Sequence, residues 1–414
     1  MKTSRFIIAL FCSVVLILSM SPSSLATEEG VIVDSEQDGF VDEIEVGDDY
    51  FVDYDIEHAR GKVIKIVDED VEYVEAMGNS KITTQYIKVE IDRGRFKGQS
   101  LLVNNIVDET YLYNIIVSEG QDVMVDIEIT KDGEFIKGYI TEIARDKYIY
   151  YLIGAFILVL VGIGGMKGFK TLLTLSFTVF CILKIFLPRV LAGENPIMLS
   201  IALSIIVTLV TIFVVSGFNK KSLAAIIGTI GGVLLAGLIT LIVGVAGNLT
   251  GLGNDEAQML MVIPQATKFN FQGLLFAGII LGALGAVMDV CMSIASSMTE
   301  IRDADPSISY VRLFKSAMNV GKDMMGTMSN TLILAYTGSS MYMMLLFMAH
   351  EISWESISNK DLIVSEVLRA LAGSIGLILS IPVTALAFII LHKKAEQKKE
   401  TSDEVGEMSD EASN

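Results

Sequence analysis

The chain has 414 residues, 52% of them hydrophobic, and a mean hydropathy of +0.55. That is too apolar for a soluble protein of this length, and several apolar runs reach the span of a bilayer. The formal charge of −18 comes mostly from an acidic run between Glu28 and Glu57 and a tail from Glu396 to Glu411, which excludes the basic footprint that nucleic acid requires.

Residues 1–26, MKTSRFIIALFCSVVLILSMSPSSLA, carry Lys2 and Arg5, an apolar stretch from Phe6 to Met20, and Ser24 and Ala26 at cleavage spacing. They read as a signal peptide, with an uncleaved signal anchor as the competing reading, and either delivers the adjoining segment out of the cytoplasm. Residues 27–57 are acidic and poor in apolar side chains, and so read as a linker. Over residues 58–146 the apolar period becomes two. The stretches GKVIKIVD, ITTQYIKVEID, QSLLVNN, DVMVDIEIT and EFIKGYITEIA predict five short strands, with KDG at 131–133 as a hairpin turn. A small extracytoplasmic β-barrel-like domain of OB type is expected.

Residues 147–391 read as a helical bundle of seven transmembrane helices: Tyr148–Gly165, Thr171–Leu191, Ile197–Gly217, Leu223–Gly247, Leu274–Ile294, Asn330–Met348 and Leu362–Leu391. Residues 392–414 form a charged tail. Lys167, Lys170, Lys220, Lys221, Arg302, Arg312, Lys315, Lys322 and the lysines after Leu391 fall on one side of such a bundle, against Arg189, Lys268 and Lys360 on the other. This bias predicts a multi-pass protein of the cell membrane with its C-terminus in the cytoplasm and its β domain outside. Between the fifth and sixth spans, residues 308–325 alternate apolar and basic residues in helical register, as a helix lying on an anionic lipid surface does.

His58, His350 and His392 are scattered, and Cys12, Cys181 and Cys291 all lie in apolar segments. No HExxH, Cys pair, Walker loop, dinucleotide fingerprint or nucleophile elbow is present, so no metal, no cofactor and no enzymatic activity are expected.

The fifth span carries Asp289 after only about 15 apolar residues, or roughly 22 Å of helix, so the carboxylate must enter the bilayer. Gly278, Gly282, Gly285, Asp289, Ser293, Ser296 and Glu300 recur every three or four residues and share one helix face. Two readings are open: a packing seam in which Gly278, Gly282 and Gly285 admit a neighbouring helix, or a polar path for a solute or ion. Asn330, at the start of the sixth span, is expected at the depth of Asp289 and able to hydrogen-bond it. Lys184 is too far along its helix to pair with Asp289 and reads as snorkelling outward. Glu366 and Arg369 are spaced as an i, i+3 ion pair at the outer rim. The glycines of the fourth span, Gly228, Gly231, Gly232, Gly237, Gly244 and Gly247, read as packing residues, and Pro382 as a kink.

At GALGAVMDVCMSIASSMTEI and GKDMMGTMSNTLILAYTGSS the chain resembles the YibE/F-like family of bacterial multi-pass membrane proteins. The D-x-x-x-S-x-x-S-x-x-x-E pattern falls on Asp289, Ser293, Ser296 and Glu300, and the N-T-L-I-L-A-Y-x-G stretch on Asn330 to Gly338. The resemblance implies a permease-like membrane protein without naming a substrate. A permease for a small solute or ion, its outer mouth capped by the β domain, is the leading expectation. The alternative is a non-transporting scaffold or sensor whose β domain binds an envelope protein partner; in both, the lipid bilayer is the host.

Overall fold

A computed structural model describes residues 54–74, 80–108, 114–263 and 269–411. The expected signal peptide and most of the acidic linker lie outside the described residues. The chain forms two compact units, divided in sequence between Val159 and Leu160.

The first unit is built on five strands, β1 (Tyr54–Val74), β2 (Ser80–Ile91), β3 (Ser100–Asp108), β4 (Asp122–Thr130) and β5 (Phe135–Ile143). They close into a barrel in the order β1-β2-β3-β5-β4. Neighbours run antiparallel except β3 and β5, which are parallel. The period of two does what it predicts. Val123, Val125 and Ile127 on β4, Ile87 and Val89 on β2 and Val103 on β3 point inward and are fully buried. β1 is longer than its stretch of alternation suggests and takes in residues 54–57, which the sequence assigns to the linker; Tyr54 to Glu57 pair with Thr130 to Ile127 of β4. Two bulges, at Val63/Lys65 and Ile66/Asp68, bend this strand so that its first part pairs with β4 and the rest with β2. The expected hairpin is present. Gly133 takes φ 84° and its N–H donates to Thr130 O at 2.7 Å.

The first turn of helix α1 (Asp146–Cys181) is fastened to the barrel. Arg60 Nη1 donates to both carboxylate oxygens of Asp146, at 2.7 and 2.6 Å. Its Nη2 donates to Asp122 Oδ2 at 3.0 Å, which also accepts from Lys147 Nζ at 2.9 Å. Lys147, ahead of the opposing effect of burial and the help of Arg60, holds the Asp122 carboxyl below its ordinary range.

In the second unit α1 continues through a π-helical turn (Ile182–Phe186) into α2 (Leu187–Leu191). Then come α3 (Pro196–Ser216), α4 (Lys220–Ala246), the short α5 (Asp255–Met259), α6 (Phe271–Ala304), α7 (Tyr310–Ser339), α8 (Met341–Ala349), the short α9 (Trp354–Ile357) and α10 (Asp361–Glu411). Among the described residues five helices are long and apolar enough to cross a membrane, or six if α7 and α8, bent by 58°, count as one span. The first two expected spans lie within one helical run of 46 residues, Asp146–Leu191. Gly165 interrupts that run with φ 53° and ψ −133°, a kink between two helices. Just beyond it, Gly168 lies against the backbone of Leu160, where a Cβ has no room.

The amphipathic segment 308–325 is not separate from the sixth expected span. No proline or tight turn intervenes before Asn330, so one helix, α7, runs through both, and the break falls at Ser340 instead. The core of the bundle is α4, α6 and α10, with Ala225, Ala236, Val287, Cys291, Ile294 and Phe388 fully buried. Gly228 and Gly232 of α4 press against Thr384 and Ser380 of α10, and Gly244 against Phe276 of α6. The packing expected of these fourth-span glycines is what the structure holds.

Candidate functional site

α6 begins with Asn270 as its N-cap, whose side chain accepts from Gly273 N at 2.7 Å. Its apolar stripe, including Phe276, Ile280, Leu284, Val287 and Cys291, turns into the core. The stripe of small and polar residues therefore lies on the opposite side. Gly278, Gly282, Gly285, Asp289 and Glu300 are exposed and Ser293 and Ser296 half-buried. All seven share a face, as the spacing predicts, but the face is open. A Cβ built on Gly278 or Gly285 meets nothing within 4 Å, and one on Gly282 meets only the Tyr336 hydroxyl, at 3.0 Å. The close neighbouring helix expected for Gly278, Gly282 and Gly285 is thus not found among the described residues. The tight glycine contacts belong to α4, which packs against both α6 and α10, whereas on α6 Gly282 meets only the Tyr336 hydroxyl of α7.

Asp289 and Asn330 are both exposed, and no hydrogen bond joins them among the described residues. The expected pairing is not made. Asn330 sits in the second half of α7, where the buried residues of that helix (Leu313, Ala317 and Gly321) have been left behind.

At the end of the bundle where α6 and α10 begin, a cavity of about 230 Å³ is lined by polar Asn254, Glu256, Ser365, Glu366 and Arg369 together with Phe271, Leu274 and Gly278. Its wall is assembled by the loop after α4. Gly251 takes φ 77° against the backbone of Phe271, and Gly253 packs on the backbone of Leu362 with no space for a side chain. Thr250 Oγ1 donates to Asp361 Oδ2 at 2.6 Å and Gln272 Nε2 to Leu249 O at 2.7 Å. These contacts tie the loop to the first turns of α10 and α6. Arg369 Nη1 donates to Glu366 Oε1 at 2.9 Å, with side chains 31% and 18% exposed. The other carboxylate oxygen, Glu366 Oε2, and Arg369 Nε are buried and have no hydrogen-bond partner among the described residues. Such orphaned charged groups cost stability unless something completes them.

The i, i+3 spacing of this pair is legible in the sequence, but its place in a cavity wall is not, because the wall comes from a loop about 110 residues earlier in the chain. Gly278 lines the same cavity. The polar stripe of α6 therefore starts at the cavity and leads, over about 16 Å of helix, to Asp289.

The family described as YibE/F-like protein matches residues 152–394, and the YibE/F family N-terminal domain matches residues 42–143. Searches of curated proteins and of solved structures find no match. The two family matches fall on the helical bundle and on the barrel respectively, so the chain belongs to the YibE/F-like family of membrane proteins.

Proposed function

We propose that this protein is a permease that carries a small solute or ion along the open face of α6, from the cavity at Glu366 and Arg369 past Gly278 to Asp289. The observation that supports it is the continuity of a cavity walled by an incompletely satisfied ion pair with a stripe that keeps a carboxylate at bilayer depth. An intramembrane carboxylate without a partner marks a solute or proton route more often than a packing contact. No chemical transformation is part of this reading. The 46-residue run, about 69 Å at 1.5 Å per residue, is long enough to cross twice if Gly165 divides it, which with α3, α4, α6, α7–α8 and α10 makes seven crossings. The charge bias of the loops supports a tail in the cytoplasm and a barrel outside the cell membrane, in agreement with an N-terminal signal peptide, cleaved or retained as an anchor. The strand order and the parallel β3–β5 pair support an OB-type reading of the barrel.

The test is uptake of labelled ions and small metabolites into proteoliposomes. Protein-dependent uptake that Asp289→Asn abolishes, while the thermal midpoint stays within about 2 °C, is expected, because the amide keeps the shape and removes the charge. Wild-type uptake by the Asn variant takes Asp289 out of the path. A second reading, a scaffold whose barrel binds an envelope protein, is favoured by Val67, Tyr73, Leu102 and Ile106, each more than half exposed on the barrel. It predicts a blank uptake panel across all solute classes.

A further inference from the structure

The first half of α7 carries a charged face that the permease reading does not use. Leu313, Ala317 and Gly321 are the buried residues of this helix. Arg312, Lys315, Asn319 and Lys322 are exposed and, at about 100° per residue, fall within roughly 80° of one another on the side directly opposite the buried stripe. The row therefore points away from the bundle. None of its three cations makes an ion pair among the described residues. Arg302, the neighbouring cation of α6, is turned instead to the ring of Tyr310, 4.9 Å from its centroid. Asp323, the only carboxylate of α7, is exposed on the flank of the row, and neither it nor Glu300 and Asp303 of α6 neutralises the row by direct pairing.

Depth distinguishes a lipid from other anions. Gly321 packs on Ile381 of α10 and Ile294 of α6, so Lys322 is level with the residue at which the apolar stretch of α6 gives out. Arg312 lies about 15 Å farther along the helix at 1.5 Å per residue. In a bilayer that covers the apolar stretch of α6, the row starts at the edge of the hydrocarbon and runs out through the headgroup layer, into which long basic stems reach. Beside the row, Phe314, Met318, Met325 and Leu332 form an apolar shoulder that is only half-buried. This shoulder continues toward the bilayer centre beyond Lys322. A phospholipid meets both features at once, with its phosphate on the cations and an acyl chain along the shoulder. An inorganic anion would use only the first, and an acidic protein would have to displace lipid from the second.

We propose that this face of α7 binds anionic phospholipid, the headgroup phosphate pairing with Arg312, Lys315 and Lys322 and an acyl chain lying along Met318, Met325 and Leu332. The site needs no solute and stands whether or not the protein is a permease.

The probe is dioleoylphosphatidylglycerol, titrated into the full chain in an uncharged detergent and counted as bound lipid by native mass spectrometry, with dioleoylphosphatidylcholine as the zwitterionic control. The anionic lipid is expected to bind on the order of tenfold more tightly at about 0.1 M salt, and the preference to shrink at about 0.5 M as the charges are screened. Substituting Arg312→Gln, Lys315→Gln and Lys322→Gln together should remove the preference and leave the thermal midpoint without lipid unchanged, because these side chains hold no charged partner in the bundle. The control substitutions Lys220→Gln, Lys393→Gln and Lys394→Gln remove as many charges from α4 and α10 and should keep most of the preference. Equal loss in both triple variants overturns this row as the site, and so does an undiminished preference in the first. Equal binding of the two lipids by the wild-type chain at low salt, the result if the face is only solvated or is reserved for an acidic protein, overturns the proposal as well. Full displacement of the anionic lipid by millimolar glycerol 3-phosphate or inorganic phosphate overturns a lipid occupant in favour of a free anion. The salt and headgroup comparisons use the wild-type chain alone and remain decisive even if a variant misfolds.

Discussion

Gly232 and Gly278 look alike in the sequence and differ completely in their surroundings. A Cβ on Gly232 would lie 2.6 Å from Ser380 Cβ, 2.8 Å from Val287 Cγ1 and 3.0 Å from Gly376 O, so α4 and α10 touch almost backbone to backbone. Gly232→Leu is therefore expected to destabilise the bundle by about 3 kcal/mol or more through overpacking. Gly278→Ala meets open space and should leave the thermal midpoint unchanged or slightly raised, since alanine is the better helix former by about 1 kcal/mol. Thermal unfolding of both variants in one detergent decides between them. A helix's own periodicity tells which residues share a face, but not which face its neighbours occupy; that is why the row containing Asp289 is legible in the sequence and its openness is not. At Asp122 the sign of a pH effect follows from its depressed pKa. A carboxylate of this kind contributes stability above its unfolded value of about 3.9 and loses it as pH falls through the lower folded value. Asp122→Asn should lose stability at neutral pH and show a weaker further loss than the wild type as pH falls below about 4, measured by hydrogen exchange of the barrel amides.

Among the elements, the strands are the easiest to read, because alternation over residues such as Val123, Val125 and Ile127 is a direct image of inside and outside. The start of β1 is hidden, since Tyr54, Ile56 and Glu57 sit in an acidic context and take up strand conformation only by pairing with β4. The helices are legible in place but not in their joints. The kink at Gly165 and the bend at Ser340 fall where no proline stands, whereas Pro382 lies inside the unbroken α10. There the hydroxyls of Ser380 and Thr384 bond to carbonyls of Leu377 and Ser380, at 2.7 Å each. A fragment from Tyr54 to Arg145 contains every strand among the described residues and a buried core of its own. It is expected to be soluble and β-rich by circular dichroism, and a helical or unfolded spectrum would refute the independence of this unit.

For the molecule as a whole, composition already announces a membrane protein, and the loop charges predict its orientation. On the proposed topology, an impermeant thiol reagent applied to intact cells should label Gln121→Cys and spare Ser409→Cys. The two resident cysteines among the described residues, Cys181 and Cys291, are buried and give little background. Labelling of the tail would reverse the topology. The grip of Arg60 on Asp122 and Asp146 has a mechanical meaning. One guanidinium bonds at once to the first residue of β4 and to the first residue of α1, much as a key locks a wheel to its shaft. The helix cannot swivel about its own axis without breaking charged hydrogen bonds, so any torque applied to the barrel turns the opening turns of α1 with it.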